Sequence, residues 1–342
     1  MDVTADSASQ LVSLADIEAA RSIIAGAINR TPLLTSRTAA RLLQAAHGLR
    51  IADGRLYLKA EHLQRTGSFK PRGMTARVAA LTEEQRRRGI ITFSAGNAAQ
   101  GYAYAGSALG VPVTVVMPAA ANPTKVAATK GYGAEVVLEG AHFGEVVAAM
   151  ERIRDERGLT LCHPFDDAEV IAGHGSAGLE ILDDLPDVEV VVVAIGGGGL
   201  ISGVATAIRE RRPAVRVYGV EPVGSDAMSR ALAAGAPEQF VPSSVADGLN
   251  APFAGERTLR TVQRYVEDVI RLEEATILMG LRFGLERLKQ VLEPAGAAAL
   301  AAVLANRIPI RDGERVAVVL SGGNLDLTRA GELLAAADPL PA

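Results

Sequence analysis

From Val188 to Ile195 the chain is apolar except for Glu189, and Gly196-Gly197-Gly198-Gly199 follows directly. An apolar run without alternation reads as a strand buried on both faces, the kind found in parallel sheets covered by helices. Val215–Val220 and Val316–Leu320 have the same character. Between such runs the chain shows helical spacing, as in Leu200–Arg211. Strands separated by helices require right-handed βαβ crossovers, so the fold class is α/β with open, mostly parallel twisted sheets flanked by helices.

The first half keeps the same rhythm. A helix is predicted over Leu14–Asn29, ended by Arg30-Thr31-Pro32. Leu56–Lys59 reads as a strand and Ser68–Leu81 as a helix opened by a Ser cap. Gly89–Ser94, Pro112–Met117 and Glu135–Leu138 are predicted strands. Ala98–Leu109, Lys125–Gly131 and Gly144–Arg157 are the helices between and after them. Residues 1–13 read as a loose tail, and the Ala-rich stretches 295–305 and 333–337 as helices. With 342 residues, the chain is long enough for about two domains.

A net charge of −4 gives no basic surface for nucleic acid or an anionic membrane, so a small molecule is the default partner. Val190–Ile201 is too short and too glycine-rich to span a bilayer. The N-terminus has neither a basic nor an apolar leader segment, and a cytoplasmic address is expected. Cys162 is the only cysteine, which rules out an internal disulfide or a thiolate zinc cluster; a buried structural thiol is the simpler reading than a nucleophile.

In parallel sheets ligands bind beyond the strands' carboxyl ends. Four loops are candidates there. Gly196–Leu200 joins a buried strand to a helix, so its N–H groups and the helix dipole suit an anion such as phosphate. No Gly-Lys-Ser/Thr follows, and Ile201 fills the last place of G-x-G-x-x-G, so the two familiar nucleotide motifs fail. Thr66–Gly73 carries Lys70 at the start of a predicted helix, where the dipole favours a neutral amine able to form a Schiff base. On its own, Lys70 is better explained as a solvated surface lysine. Ser94–Gly101 could bind a carboxylate, with Asn97 donating to a phenolate oxygen. Ser321–Asn324 follows a strand and places a hydroxyl where a ring nitrogen could meet it. A plain capped turn explains either of these last two loops as well.

Taken together, these segments resemble the fold type II, tryptophan-synthase-β-like, pyridoxal-5′-phosphate enzymes, and among them the threonine/serine dehydratase and serine racemase group. The resemblance runs from Thr31-Pro32-Leu33 to Asn324 through SFKPRG, SAGN, HPFDD at 163–167, AGHGSAGLEI at 172–181 and GGGGL. It continues through Glu221-Pro222, Ala246-Asp247-Gly248, Glu293-Pro294-Ala295-Gly296 and SGGN. It implies a large, discontinuous cofactor-binding domain, 1–88 with 161–342, a small domain, 89–160, and pyridoxal phosphate in the cleft between them. It further implies that Lys70 forms the internal aldimine, Phe69 lies near the ring and Asn97 bonds the ring hydroxyl. Gly196, Gly197, Gly198, Gly199 and Leu200 would hold the phosphate, Ser321 would face the pyridine nitrogen, and Ser94, Ala95, Gly96 and Asn97 would receive the substrate carboxylate. A homodimer is also implied.

The neutral Ser321 would not hold the ring nitrogen protonated, which suits rapid loss of a β-substituent after Lys70 takes the α-proton. The implied activity is a dehydratase that converts a small 3-hydroxy amino acid to a 2-oxo acid and ammonia. The alternatives are a racemase, a β-replacement lyase, or a non-enzymatic cofactor-binding protein. Related racemases place a serine where this chain has Ala95, which cannot carry a proton, so elimination is favoured. A racemase-type divalent site would use Glu221, but its later carboxylate position falls on Ala227, beside Asp226, and no metal is expected. The family's usual histidine after the SAGN loop is Ala98, and His174 stands where glutamine is common; either leaves the particular substrate open. His62, His142 and His163 read as packing or surface residues, and Asp166-Asp167 and Asp183-Asp184 as turn and cap residues. With only a short helix and a Pro-containing tail after Ser321, control through an appended regulatory domain is not expected.

Overall fold

A computed structural model describes residues 11–341. Within them the strands are β1 (Leu33–Ser36), β2 (Leu56–Lys59), β3 (Ile90–Phe93), β4 (Val113–Met117) and β5 (Glu135–Leu138). They continue as β6 (Thr160–Leu161), β7 (Val190–Ala194), β8 (Arg216–Pro222), β9 (Asp268–Leu272) and β10 (Val316–Val319). Six make one sheet in the order β1-β2-β10-β7-β8-β9; β3 to β6 make a second in the order β5-β4-β3-β6. Only the β1–β2 pairing is antiparallel.

The centre of the larger sheet explains its own sequence. β7 pairs Val190 with Val316 on one side and with Arg216 on the other, and all five of its residues are buried. Val190, Val192 and Ala194 face a core built around helix Pro294–Leu304, while Val191 and Val193 face one built around helix Gly199–Arg211. Successive strand side chains point to opposite faces, so covering both faces demands an unbroken apolar run. Glu189 lies one residue outside the strand and is exposed.

Several element boundaries differ from the sequence expectation. The first helix is Leu14–Ile24 and stops well short of Asn29. Val12 is buried and Ser13 forms a capping box with Asp16, so residues 11–13 are not a loose tail; 1–10 lie outside the described residues. The helix expected from a Ser68 cap begins instead at Pro71, with Lys70 as the N-cap residue. Pro71 suits the first helical position because its missing N–H needs no partner there. Just upstream, Thr66 and Gly67 sit at φ +52° and +73°, and Ser68 forms an isolated antiparallel bridge with Gly322. That tight passage leaves no room for a helix before Lys70. Asp183 and Asp184 end helix Ala168–Asp184 and pair with Arg21 and Arg30 instead of capping. No helix among the described residues is long and apolar enough to cross a membrane.

Candidate active site

The four candidate loops all follow the carboxyl ends of strands or their extensions, and the structure joins them by direct contacts. Lys70 is half-buried, and its Nζ donates to the carbonyl of Pro164 at 3.1 Å. Burial alone lowers its pKa to about 8. Desolvation penalises the charged ammonium, and no carboxylate offsets the penalty. The amine lies 5.0 Å from the centroid of the Phe69 ring.

Pro164 and Phe165 connect this amine to the glycine loop. A Cβ on Gly197 would collide with the Phe165 ring, and one on Gly199 would lie 2.8 Å from the Phe165 carbonyl. On Gly196 it would meet the Leu249 Cα at 3.2 Å. Gly198 adopts φ +93°, and a Cβ there would meet Thr258 at 2.7 Å. Three chain segments therefore crowd the loop, tightly at Gly196 and closely enough at Gly197, Gly198 and Gly199 that only glycine fits there. Thr258 Oγ1 donates to the Gly197 carbonyl at 2.8 Å and fixes that peptide. Helix Gly199–Arg211 starts here, so its first N–H groups have no intrahelical acceptor and remain free for an anion.

Ser321 is buried, and its hydroxyl has only a long 3.4 Å contact to the Ala295 carbonyl. The Phe69 N–H donates to the Ser321 carbonyl at 3.1 Å, tying the lysine segment to the SGGN loop. In the third loop, Gly96 caps helix Asn97–Leu109 without a side-chain bond, and its N–H donates to Ser94 Oγ at 3.2 Å. Ser94, Ala95, Gly96 and Asn97 are all half-buried. A Cβ on Gly101 would meet Lys70 Cβ at 3.0 Å, so this glycine lets the SAGN helix pack on the lysine.

Sequence reading missed some participants. Asn97 Nδ2 donates to Glu293 at 2.6 Å, and Asn97 Oδ1 accepts from Asn324 at 2.8 Å. Glu293 is buried, which pushes its pKa to about 7; nearby Asp247 adds to the rise and Asn97 opposes it. Lys125, on the helix between β4 and β5, pairs with Asp247 and links the two sheets' loops. The position of Glu293 before Pro294 marks a helix start, but nothing in the sequence aims its carboxylate at Asn97. Lys125 carries no local signal at all.

Behind the site lies a buried ionic cluster. Arg72 contacts Glu61 at 2.7 Å and Glu180 at 2.8 Å, and Lys59 contacts Glu180 at 2.5 Å. Thr31 Oγ1 donates to Glu61 at 2.5 Å, and Lys59 Nζ also donates to the Thr31 carbonyl at 2.7 Å. Burial opposes every one of these charges. For Arg72 the Glu61 and Glu180 carboxylates outweigh it and raise the pKa; for Glu180 the Arg72 bond and the two cations hold the acid below its ordinary value.

Other candidates have mundane partners. Glu221 accepts from the N–H groups of Met228 and Ser229, at 2.7 and 2.9 Å, and from Ser229 Oγ at 2.8 Å. Its oxygens thus cap helix Ala227–Ala234. Among the described residues no three acidic, His or Cys side chains group as a metal site. His62 bonds Gln290, exposed His142 caps helix Phe143–Arg157, and His163 accepts from the N–H groups of Phe165 and Asp166. Asp166 and Asp167 do cap the starts of helices Glu256–Tyr265 and Ala168–Asp184.

An amine with a depressed pKa, a glycine cradle at a helix start and a loosely held buried hydroxyl form a donor set suited to pyridoxal phosphate. The chain belongs to the family of pyridoxal-phosphate-dependent enzymes, whose model matches residues 24–322. Enzymes of this family depend on pyridoxal phosphate, and so does this chain. It is 42% identical over 325 residues to an L-threonine ammonia-lyase of Thermotoga maritima, covering 95% of this chain and 78% of that one. It is 41% identical to a catabolic L-threonine dehydratase of Staphylococcus aureus, covering 95% and 92%. A crystal structure of a T.th. threonine deaminase superposes with TM-score 0.82 at 42% identity, over 92% of this chain and 99% of that one. The structure of maize serine racemase superposes with TM-score 0.88 at 32% identity, over 95% and 98%.

Proposed function

We propose that this chain removes water from a small 3-hydroxy amino acid, threonine first and serine second, and releases a 2-oxo acid and ammonia. The observation that carries the reading is the Lys70 amine, buried against the Pro164 carbonyl with no carboxylate partner, beside the glycine cradle. The relatives named for threonine ammonia-lyase and dehydratase activity support the choice of substrate.

Gly196–Leu200 N–H groups would hold the cofactor's phosphate, Ser321 Oγ would meet its ring nitrogen and Asn97 Nδ2 would reach its ring oxygen. When bound, pyridoxal phosphate withdraws electrons from the substrate and makes its Cα–H acidic. Lys70 would hold the cofactor, and its neutral amine, when free, would take the Cα proton. That proton, returned by Lys70, lets the β-hydroxyl depart as water. The Ser94–Asn97 loop receives the substrate carboxylate on its N–H groups. Ala95 offers no second acid or base, which favours elimination over racemisation.

Ile90–Leu161 contains the smaller sheet, and the division at 89–160 is proposed as a small domain against the remainder. A homodimer is proposed as well; exposed Leu63 and Val291 and a groove of about 460 Å³ along Leu33, Leu34 and Leu288 support it. A cytoplasmic address is proposed, since buried Cys162, its thiol pushed up to about 12, needs no oxidising compartment. The decisive experiment is keto-acid and ammonia release from L- and D-forms of a panel of 3-hydroxy amino acids. Protein that carries the cofactor but releases neither product from any of them would overturn the assignment.

A further inference from the structure

Helix Ala168–Asp184 packs against helix Pro71–Ala79 so closely that a Cβ on Gly173 would lie 2.7 Å from the Gly73 Cα. The next residue, His174, is buried. The first turn of a helix carries N–H groups with no intrahelical acceptor. Here Pro71 has none to satisfy, the Arg72 N–H goes to the Phe69 carbonyl at 3.1 Å, and the Met74 N–H reaches the Lys70 carbonyl. The remaining one, on Gly73, donates to Nδ1 of His174 at 3.1 Å.

An imidazole that accepts at Nδ1 is neutral and carries its proton on Nε2. Burial, followed by the charges of Lys70 and Arg72, keeps the pKa of His174 well below its ordinary value, in agreement with that tautomer. Its Nε2 is buried and has no hydrogen-bond partner. The ring also packs edge-on against Phe69, with centroids 4.7 Å apart. A Cβ on Gly73 would meet His174 Cε1 at 2.5 Å and Nδ1 at 2.8 Å, so the glycine and the histidine fit each other. The side chain therefore grips the residue before Lys70 and the residue three after it. A half-satisfied imidazole is a poor choice for packing alone, because an aliphatic side chain would bury no idle donor.

We propose that His174 is a positioning residue for Lys70, a cap supplied in trans that fixes where the lysine's helix begins and how the Phe69 ring is turned. This rests on the reading of Lys70 as the cofactor lysine. His174 does not touch the reacting atoms; it sets the direction in which the Lys70 amine leaves the backbone. Leu in its place would fill the space but leave the Gly73 N–H without an acceptor. Gln would restore an acceptor through its carbonyl.

The test compares the holoenzyme with His174→Leu, His174→Gln and Lys70→Ala. His174→Leu is expected to lower kcat roughly tenfold at an unchanged KM and to weaken pyridoxal phosphate binding roughly tenfold, read from cofactor absorbance on dilution. His174→Gln is expected within about twofold of wild type in both, the signature of a lost acceptor and not of lost volume. If the Leu protein does not fold, His174→Met supplies the same chemical deletion in a more adaptable shape. Wild-type kcat and cofactor affinity in His174→Leu, or a His174→Gln protein as impaired as the Leu one, would overturn the proposal. Lys70→Ala separates the two layers: if it keeps the absorbance of lysine-bound cofactor, the reading of Lys70 itself fails.

Discussion

Lys59 and Lys70 stand at opposite ends of one short segment, and burial depresses both amines. Lys59 is fully buried, yet Glu61 and Glu180 oppose the desolvation, and its Nζ sits 2.5 Å from a Glu180 oxygen. Lys70 is less enclosed, but its amine has only the Pro164 carbonyl and falls to about 8. The difference shows that depth alone does not make a lysine reactive. What matters is where the acids are: Glu61 and Glu180 are held by Arg72 and Lys59, and neither offsets the burial of the Lys70 amine.

The sharpest way to break this comparison is to remove each amine. Lys70→Ala is expected to abolish the absorbance of lysine-bound cofactor and lower keto-acid production by at least about 10³-fold, since one residue would lose both nucleophile and base. Activity within tenfold of wild type would take Lys70 out of the chemistry. Its effect on folding should be small, because only the Pro164 carbonyl loses a donor and no carboxylate is left unpaired. The cluster should respond the other way. Arg72→Met would leave Glu61 and Glu180 facing each other without their shared cation, and is expected to cost about 3–5 kcal/mol in denaturant unfolding. A loss below about 1 kcal/mol would mean the cluster is not behaving as a buried pair network.

These two outcomes also mark what a sequence can disclose. β7 was legible because both of its faces are covered, which leaves an apolar run that no exposed strand would show. The Gly196–Gly199 loop was legible because the crowding by Phe165, Leu249 and Thr258 admits no side chain. The start of the lysine helix differs from the expected Ser68, a residue type that favours the N-cap position; the Gly322 bridge and Pro71 settle it three residues later. β1 and β9 are not legible, lying at the two edges of the larger sheet with mixed exposure and no continuous apolar pattern. Helix Arg37–His47 does carry a signal, a Ser36 cap, a one-sided apolar face and Gly48 at its end, which the sequence reading passes over. The Arg72–Glu61–Glu180–Lys59 cluster joins residues from four separate elements, and charged residues read singly suggest surface. Glu293 against Asn97 is the same case within the site.

A milder perturbation tests the cradle. Gly197→Ala forces its Cβ into the Phe165 ring, whose neighbour Pro164 holds the Lys70 amine. The expected result is pyridoxal phosphate binding weakened roughly tenfold, because overpacking of this kind costs about 1–3 kcal/mol. Gly331→Ala, on a surface helix with nothing within 4 Å, is the control and should bind as wild type. Equal affinities in the two variants would dissociate the loop from the cofactor.

The smallest effect concerns pH, and its sign follows from the Lys70 amine alone. Its pKa in the folded protein is lowered from 10.5 to about 8, so the folded state binds that proton more weakly than the unfolded chain. Below the folded value the amine is charged in both states, and the folded protein bears the full desolvation penalty. Between about 8 and 10.5 the folded amine sheds its proton while the unfolded one keeps it, so the Lys70 contribution to stability rises with pH across that window. Lys59 is no counterpart, because its acids oppose its shift. The neutral amine fraction should climb from about a tenth at pH 7 to about half at pH 8. The rate at which cofactor-free protein captures pyridoxal phosphate should rise about fivefold over that unit, since only the neutral amine attacks the aldehyde. A capture rate still rising tenfold per unit through pH 9 would place the amine at its ordinary value and remove the distinction between the two lysines.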